Sequence, residues 1–228
     1  MTTTTATNSQ TNASVIIRNE QSSDYQRVED LTRAAFYNLY MPGCVEHYLV
    51  HVMRGTKDFI EPLDLVIELA GQVIGSIMYT RAWLTDDAGN VKPILTFGPL
   101  AVDPAFQRQG YGKMLIEASF NIARALGEDT VVIFGMPANY VARGFKCCRD
   151  LNVSLPDGSY PAAMMVKTLR PEVLGDRHWH YAESPVMAIA VADAEAFDNQ
   201  LPAMAKHWQP SQEEFNIISR ATITVLAE

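Results

Sequence analysis

The segment LTFGPLAVDPAFQRQGYGKMLIEASFNIARALGED, Leu95 to Asp129, constrains this chain more than any other. It begins as an apolar run of strand character, breaks at Asp103-Pro104 and passes through a glutamine-rich basic turn. Two glycines, Gly110 and Gly112, then open a run with helical periodicity. Gly98-Pro99 interrupts the strand; proline donates nothing to a ladder, so a bulge or a broken pairing is expected there. After the turn, Leu115, Ala118, Ile122 and Ala125 form one apolar helical stripe, and Gly127 supplies a stop.

The first turn of a helix has unpaired backbone N–H groups and a partial positive charge. Where glycines let a ligand come close, those groups hold an anion, most often a phosphate. Arg108 and Lys113 would add formal charge. On the glycines alone, an anion site and an ordinary strand-to-helix turn remain equally open. Two phosphate loops fail. A dinucleotide fingerprint needs glycine where Leu115 stands, and a P-loop needs Ser or Thr where Met114 follows Lys113.

Around this segment the chain alternates strands and helices. Ser14 to Glu20 predicts a strand, and the next run a helix capped by Asp24, with Val28, Leu31, Ala35 and Leu39 on one face. Val45 to Arg54 predicts a second short helix, and Leu63 to Leu84 two strands about an Ala-Gly turn. TVVIFG reads as a strand buried on both faces, NYVARGF as a helical turn and AAMMVKTL as a late strand. The pattern predicts an α/β (or α+β) domain with a mixed sheet over 14–171. Residues 1–13 read as a disordered polar tail without the features of a secretory signal.

From residue 172 to 228 the character changes to an acidic extension, expected to pack on the core as a lid or a dimer surface. Pro171 to Glu228 holds 3 basic and 9 acidic residues, most of the chain's net charge of −8. Ser211 and Glu214 suggest a capping box for its last helix. The acidic balance argues against nucleic acid, and no apolar run is long enough for a membrane span. Three cysteines, two of them adjacent, make no disulfide framework and fit a reducing cytoplasm. No metal site is expected. His178 and His180 would share a strand face, and His47 and His51 a helix face, but neither pair has a third ligand nearby in sequence.

Gln107-x-x-Gly110-x-Gly112, after a bulged strand and opening a helix, resembles the pyrophosphate loop of the GNAT N-acetyltransferase superfamily. The resemblance continues in Gly135, Pro137, Ala138, Tyr140, Gly144 and Phe145, which match a branch of predicted N-acetyltransferases. It implies the acyl-CoA N-acyltransferase fold, a twisted sheet whose central strands splay apart, and acetyl-CoA as co-substrate. By this resemblance Leu100, Ala101 and Val102 line the pantetheine arm. Gln107, Arg108, Gln109, Gly110, Tyr111, Gly112 and Lys113 hold the pyrophosphate. Tyr140 protonates the departing thiolate. Tyr111, Met136 and Asn139 depart from the family's usual residues, the last two bearing on the acceptor.

The implied reaction is acetyl transfer to a primary amine of a small molecule or peptide. It needs a positioned amine, a polarised carbonyl and a proton for sulfur. The bulged strand has no carboxylate, so the base would be Glu46 or water. A non-catalytic acyl-CoA sensor and a regulator that acetylates a partner protein are the rival readings.

Overall fold

In the computed structural model, which describes residues 14–224, one mixed nine-stranded sheet organises the chain. The strands are β1 (Val15–Asn19), β2 (Leu65–Leu69), β3 (Gln72–Asp86), β4 (Val91–Val102), β5 (Thr130–Phe134), β6 (Lys146–Cys147), β7 (Val153–Ser154), β8 (Met164–Thr168) and β9 (Trp179–Glu183). The helices are α1 (Tyr25–Phe36), α2 (Glu46–Met53), α3 (Tyr111–Ala125), α4 (Pro137–Tyr140), α5 (Val191–Asp198) and α6 (Pro210–Arg220). The sheet order is β1-β2-β3-β4-β5-β8-β6. β9 pairs with the last five residues of β3, on the edge that β2 leaves free, and with β7. Residues 1–13, read as a polar tail, lie outside the described residues. No helix among the described residues is long and apolar enough to cross a membrane.

Strand alternation divides the core. Leu65 and Ile67 point to the α3 face, while Val66 between them points to α1. On the α3 face they meet Leu95, Leu115, Ile116, Phe120 and Val131; on the other, Val66 and Ala101 meet Val28 and Leu31. β4 needs a correction to its own period to serve both layers. Phe97 pairs with Tyr79 and Leu100 with Ile77, so Gly98 and Pro99 together oppose Met78. That bulge brings Phe97 and Leu100 to the same face although they are three residues apart. The glycine-proline interruption thus has the consequence expected of it.

Several local expectations are corrected. The buried stripe of α3 is Leu115, Ile116, Ser119, Phe120 and Ala123, rotated from the predicted one, and Ala125 is exposed. Ser119 belongs in that stripe because its hydroxyl lies 2.7 Å from the buried Tyr79 hydroxyl. α1 ends at Phe36, before Leu39: Tyr37 is extended (φ −60°, ψ 122°) and Asn38 then takes a left-handed conformation (φ 63°). Asp24 makes no side-chain cap for α1; it accepts from Arg18 and from the Gln21 N–H. Ser211 lies inside α6 and donates to Leu39 O, so it forms no capping box.

The last third of the chain is tied to the first. Arg33 Nε donates to Asp198 Oδ1 at 2.7 Å, and Arg33 Nη1 donates to Pro202 O. Asn38 is a second joint. It donates to Ala205 O, accepts from the N–H groups of Gly43 and His207, and its carbonyl accepts from Gln212. Phe197 packs against both His47 and His51 of α2, which explains that histidine pair as packing.

Candidate active site

β4 and β5 run parallel but pair at one position, Leu95 with Val131. Beyond it the two strands leave a gap. Thr96 to Leu100 form one wall, Phe134 and Gly135 the other, and a cavity of about 580 Å³ opens between them. A sheet splits here because the bulge at Gly98-Pro99 takes β4 out of register and proline offers no N–H.

The turn after β4 forms one end of this cavity. Its backbone is set by two left-handed residues, Arg108 (φ 61°) and Gly110 (φ 93°), the second immediately before α3. Gln107 Nε2 donates back to Val102 O at 3.0 Å and pins the turn to the strand it leaves. The first N–H groups of α3 belong to Tyr111, Gly112 and Lys113, and have no intrahelical partners. A Cβ on Gly112 would lie 3.7 Å from Val102 Cγ2, an ordinary contact, so packing does not require glycine there. What glycine does provide is bare backbone facing the cavity.

Leu100, Val102, Gln107, Arg108, Gly110, Tyr111, Gly112 and Lys113 all line the cavity. Two of the expected residues do not. The Ala101 side chain points to the opposite face, into the α1 layer, because it follows Leu100 along the strand. Gln109 is exposed, and its amide donates to Ala105 O. Arg143, in the turn Val141–Arg143, adds a cation that the sequence pattern did not single out.

Tyr140 stands on the β5 side of the same cavity. Its ring packs against Phe97 and edge-on against Phe145, with centroids 5.9 and 5.8 Å away. Gly135 makes the placement possible, since a Cβ there would lie 2.8 Å from Tyr140 Cε2. Burial raises the phenol above its ordinary pKa, so the hydroxyl holds its proton throughout the physiological range.

The other end of the cavity is acidic and aromatic. Glu46, the first residue of α2, lines it, and burial raises this carboxyl above the usual range. Its Oε2 accepts from the Val45 N–H at 3.0 Å. Three further residues come from the acidic extension: Glu183 at the end of β9, Met187, and Phe215 of α6. Phe215 packs against Tyr40 with centroids 4.3 Å apart and the rings tilted by 31°. Desolvation raises the Glu183 carboxyl, opposed by a 3.2 Å hydrogen bond from the Tyr181 hydroxyl. No motif marks Glu183, Met187 or Phe215 in the sequence, because strand pairing and helix docking across the domain bring them here.

A bulged strand, a split between parallel strands and a helix-opening turn at the split define the acyl-CoA N-acyltransferase fold. The profile described as "Acetyltransferase (GNAT) family" matches residues 26–145, more than half of the chain. The chain belongs to that family. It is 32% identical over 101 residues to the uncharacterized N-acetyltransferase YjhQ of Escherichia coli K12, a match to 44% of this chain and 51% of that one. The alignment thus spans about half the length of YjhQ. To the uncharacterized N-acetyltransferase YhbS of the same organism it is 30% identical, over 58% of this chain and 74% of YhbS.

Among solved structures, YhbS from Escherichia coli in complex with CoA superposes with a TM-score of 0.66 at 22% identity, covering 82% of this chain and 96% of YhbS. A GNAT family acetyltransferase from Brucella melitensis in complex with acetyl-CoA superposes at 0.61 and 24% identity, covering 77% and 99%. These likenesses establish the fold.

Proposed function

We propose that this chain is an acetyl-CoA-dependent N-acetyltransferase whose acceptor is a cationic primary amine. One observation carries the reading: a single cavity joins the helix-opening turn Gln107–Lys113 to Tyr140 and Glu46. The fit to acetyl-CoA rests on three features of that cavity. The turn offers backbone N–H groups and a glycine whose absent side chain serves no packing need. Arg108, Lys113 and Arg143 supply positive charge at the same end. The bulge at Gly98-Pro99 frees β4 backbone beside the gap for the pantetheine arm. The solved complexes of YhbS with CoA and of the Brucella melitensis enzyme with acetyl-CoA support this choice.

Acetyl-CoA supplies a thioester. The acceptor nitrogen bonds to the thioester carbonyl carbon, the carbon–sulfur bond breaks, and sulfur takes the proton that Tyr140 holds. The nitrogen loses a proton to Glu46, directly or through water, and that proton returns to the phenol through solvent. Atoms and charge balance: one thioester and one amine become one amide and one thiol. Glu46 suits the proton-accepting role because its burial makes it more basic than an exposed carboxylate. Glu46 and Glu183 together favour an acceptor that arrives as an ammonium ion, which releases one proton to solvent and becomes the free amine before its nitrogen attacks. The extension, through Glu183, Met187 and Phe215, forms part of the acceptor side.

The test is release of CoA thiol from acetyl-CoA across a panel of primary amines graded by charge and size, peptide N-termini included. Cationic small amines should be turned over fastest. Acetyl-CoA binding without thiol release from any amine would favour a sensor, and release with peptides alone would favour a protein acceptor.

A further inference from the structure

A second cluster lies at the opposite end of β4 from the turn Gln107–Lys113. Asp87 follows β3, His178 precedes β9, His180 lies in β9, and Ser154 belongs to β7. β9 sits between β3 and β7, with His180 opposite Ser154 in register. Among the described residues, Asp87, His178 and His180 are the one set of three His, Cys, Asp or Glu whose ligand atoms lie within 4.8 Å of one another.

Hydrogen-bond accounting fixes which nitrogens face outward. The Ser154 hydroxyl has one proton, and it donates to Leu155 O at 2.8 Å. Its oxygen therefore accepts from both imidazoles, His178 Nε2 at 2.9 Å and His180 Nδ1 at 3.3 Å. Ser154 is completely buried, so water does not compete for these bonds. That leaves His178 Nδ1 and His180 Nε2 facing outward, where each can give up its hydrogen bond to Asp87 for a bond to an ion. Both converge on Asp87 Oδ1, at 3.2 and 2.9 Å. Arg177, the residue before His178, is paired with Asp86 at 3.1 Å.

We propose that Asp87, His178 and His180 form a binding site for a divalent transition-metal ion of the zinc class. Two imidazoles and one carboxylate are ligands such an ion accepts, at about 2.0–2.2 Å. Tetrahedral bonds of that length put ligand atoms about 3.3–3.6 Å apart. The separations of the two histidine nitrogens from Asp87 need only a slight opening, which the two-thirds exposed Asp87 side chain can make, and all three ligand atoms already lie within 4.8 Å of one another. Ser154 holds both rings by their far nitrogens, the outer-shell support that fixes metal-ligating histidines. Three protein ligands leave one position for water. The ion would tie the β3–β4 turn to β9 and β7.

The test uses the untagged full chain and zinc chloride, followed by titration calorimetry and thermal unfolding. One equivalent of zinc should bind and raise Tm, and a chelator should reverse both effects. His178→Ala and His180→Ala should each weaken binding at least tenfold, while His51→Ala should leave it unchanged. Cobalt(II) in place of zinc should give visible absorption bands that the histidine variants lose. Should a histidine variant fail to fold, Asp87→Asn, at an exposed position, should still weaken binding at least tenfold. Absence of saturable zinc binding overturns the proposal. Equal binding by the wild type and the Asp87→Asn or histidine variants also overturns it, and leaves the cluster as a hydrogen-bonded tie between the β3–β4 turn and β9.

Discussion

Tyr140 Cε2 lies 2.8 Å from the point where a Cβ on Gly135 would stand, so the glycine at the end of β5 sets where the tyrosine ring can rest. Gly135 has no left-handed backbone requirement, and alanine fits its chain conformation. Gly135→Ala should therefore keep the fold and displace the ring. Since a shift of about 1 Å in a reacting group costs up to about 100-fold, kcat should fall 10- to 100-fold with little change in Tm. Steady-state kinetics beside thermal unfolding checks this. Wild-type kcat would mean that ring position does not matter.

Gly112 allows the opposite experiment. A side chain there meets only ordinary contacts with Val102 and Leu100, so Gly112→Val should fold. It would project between the α3 N-terminus and the diphosphate. Affinity for acetyl-CoA should drop at least tenfold, about 1.4 kcal/mol, by calorimetry. An unchanged Kd would place the anion site elsewhere.

Glu46 links pH to stability. Burial raises its folded-state pKa, so the folded protein holds this proton more tightly than the unfolded chain does. Below the unfolded value, about 4.3, both states are protonated and the group costs nothing. As pH rises past that value toward the raised folded one, ionisation in the buried site costs stability, and above the folded value the cost is complete. Glu46→Gln should raise Tm at pH 8, by about 2–4 °C for each kcal/mol relieved, and match the wild type near pH 4. The same change should lower kcat. Equal Tm at both pH values would contradict the assigned burial.

Asp198 tests the joint between the extension and α1. Arg33 and Asp198 have side chains only 8% and 10% exposed, and His47 Nε2 lies 3.3 Å from the same carboxylate. Asp198→Ala leaves a buried guanidinium unpaired and should cost about 3–5 kcal/mol in urea denaturation. The double change Arg33→Met with Asp198→Leu should cost less than Asp198→Ala alone. A loss under about 1 kcal/mol for the single change would mean that the pair is solvated.

What the sequence made legible was local and periodic. The bulge, the turn and the start of α3 could be read because glycine and proline act on their own neighbours. Tyr140 was reachable only through the family resemblance, by its place four residues before Gly144-Phe145. The phase of the α3 stripe was less legible, since Ser119 is buried through a partner, Tyr79, that lies 40 residues away. Glu183 and Phe215 were hidden for the same reason. Their place at the cavity depends on β9 pairing with β3 and on α6 packing against Tyr40. Asp87 stands 91 residues before His178, beyond the reach of any ligand-spacing pattern.

The central claim is that the Tyr140 hydroxyl supplies the proton to the leaving sulfur, and Tyr140→Phe tests it most directly. The variant keeps the ring, its contacts with Phe97 and Phe145, and the space left by Gly135. Acetyl-CoA should bind with unchanged affinity, while kcat should fall by about 10²-fold or more, the usual size of a general-acid contribution. The loss should appear in kcat and not in KM for acetyl-CoA, because the proton matters only as charge develops on sulfur. It should also shrink at low pH, where solvent protonates the thiolate more readily. A Tyr140→Phe enzyme with wild-type kcat would contradict the account and return Tyr140 to a packing role.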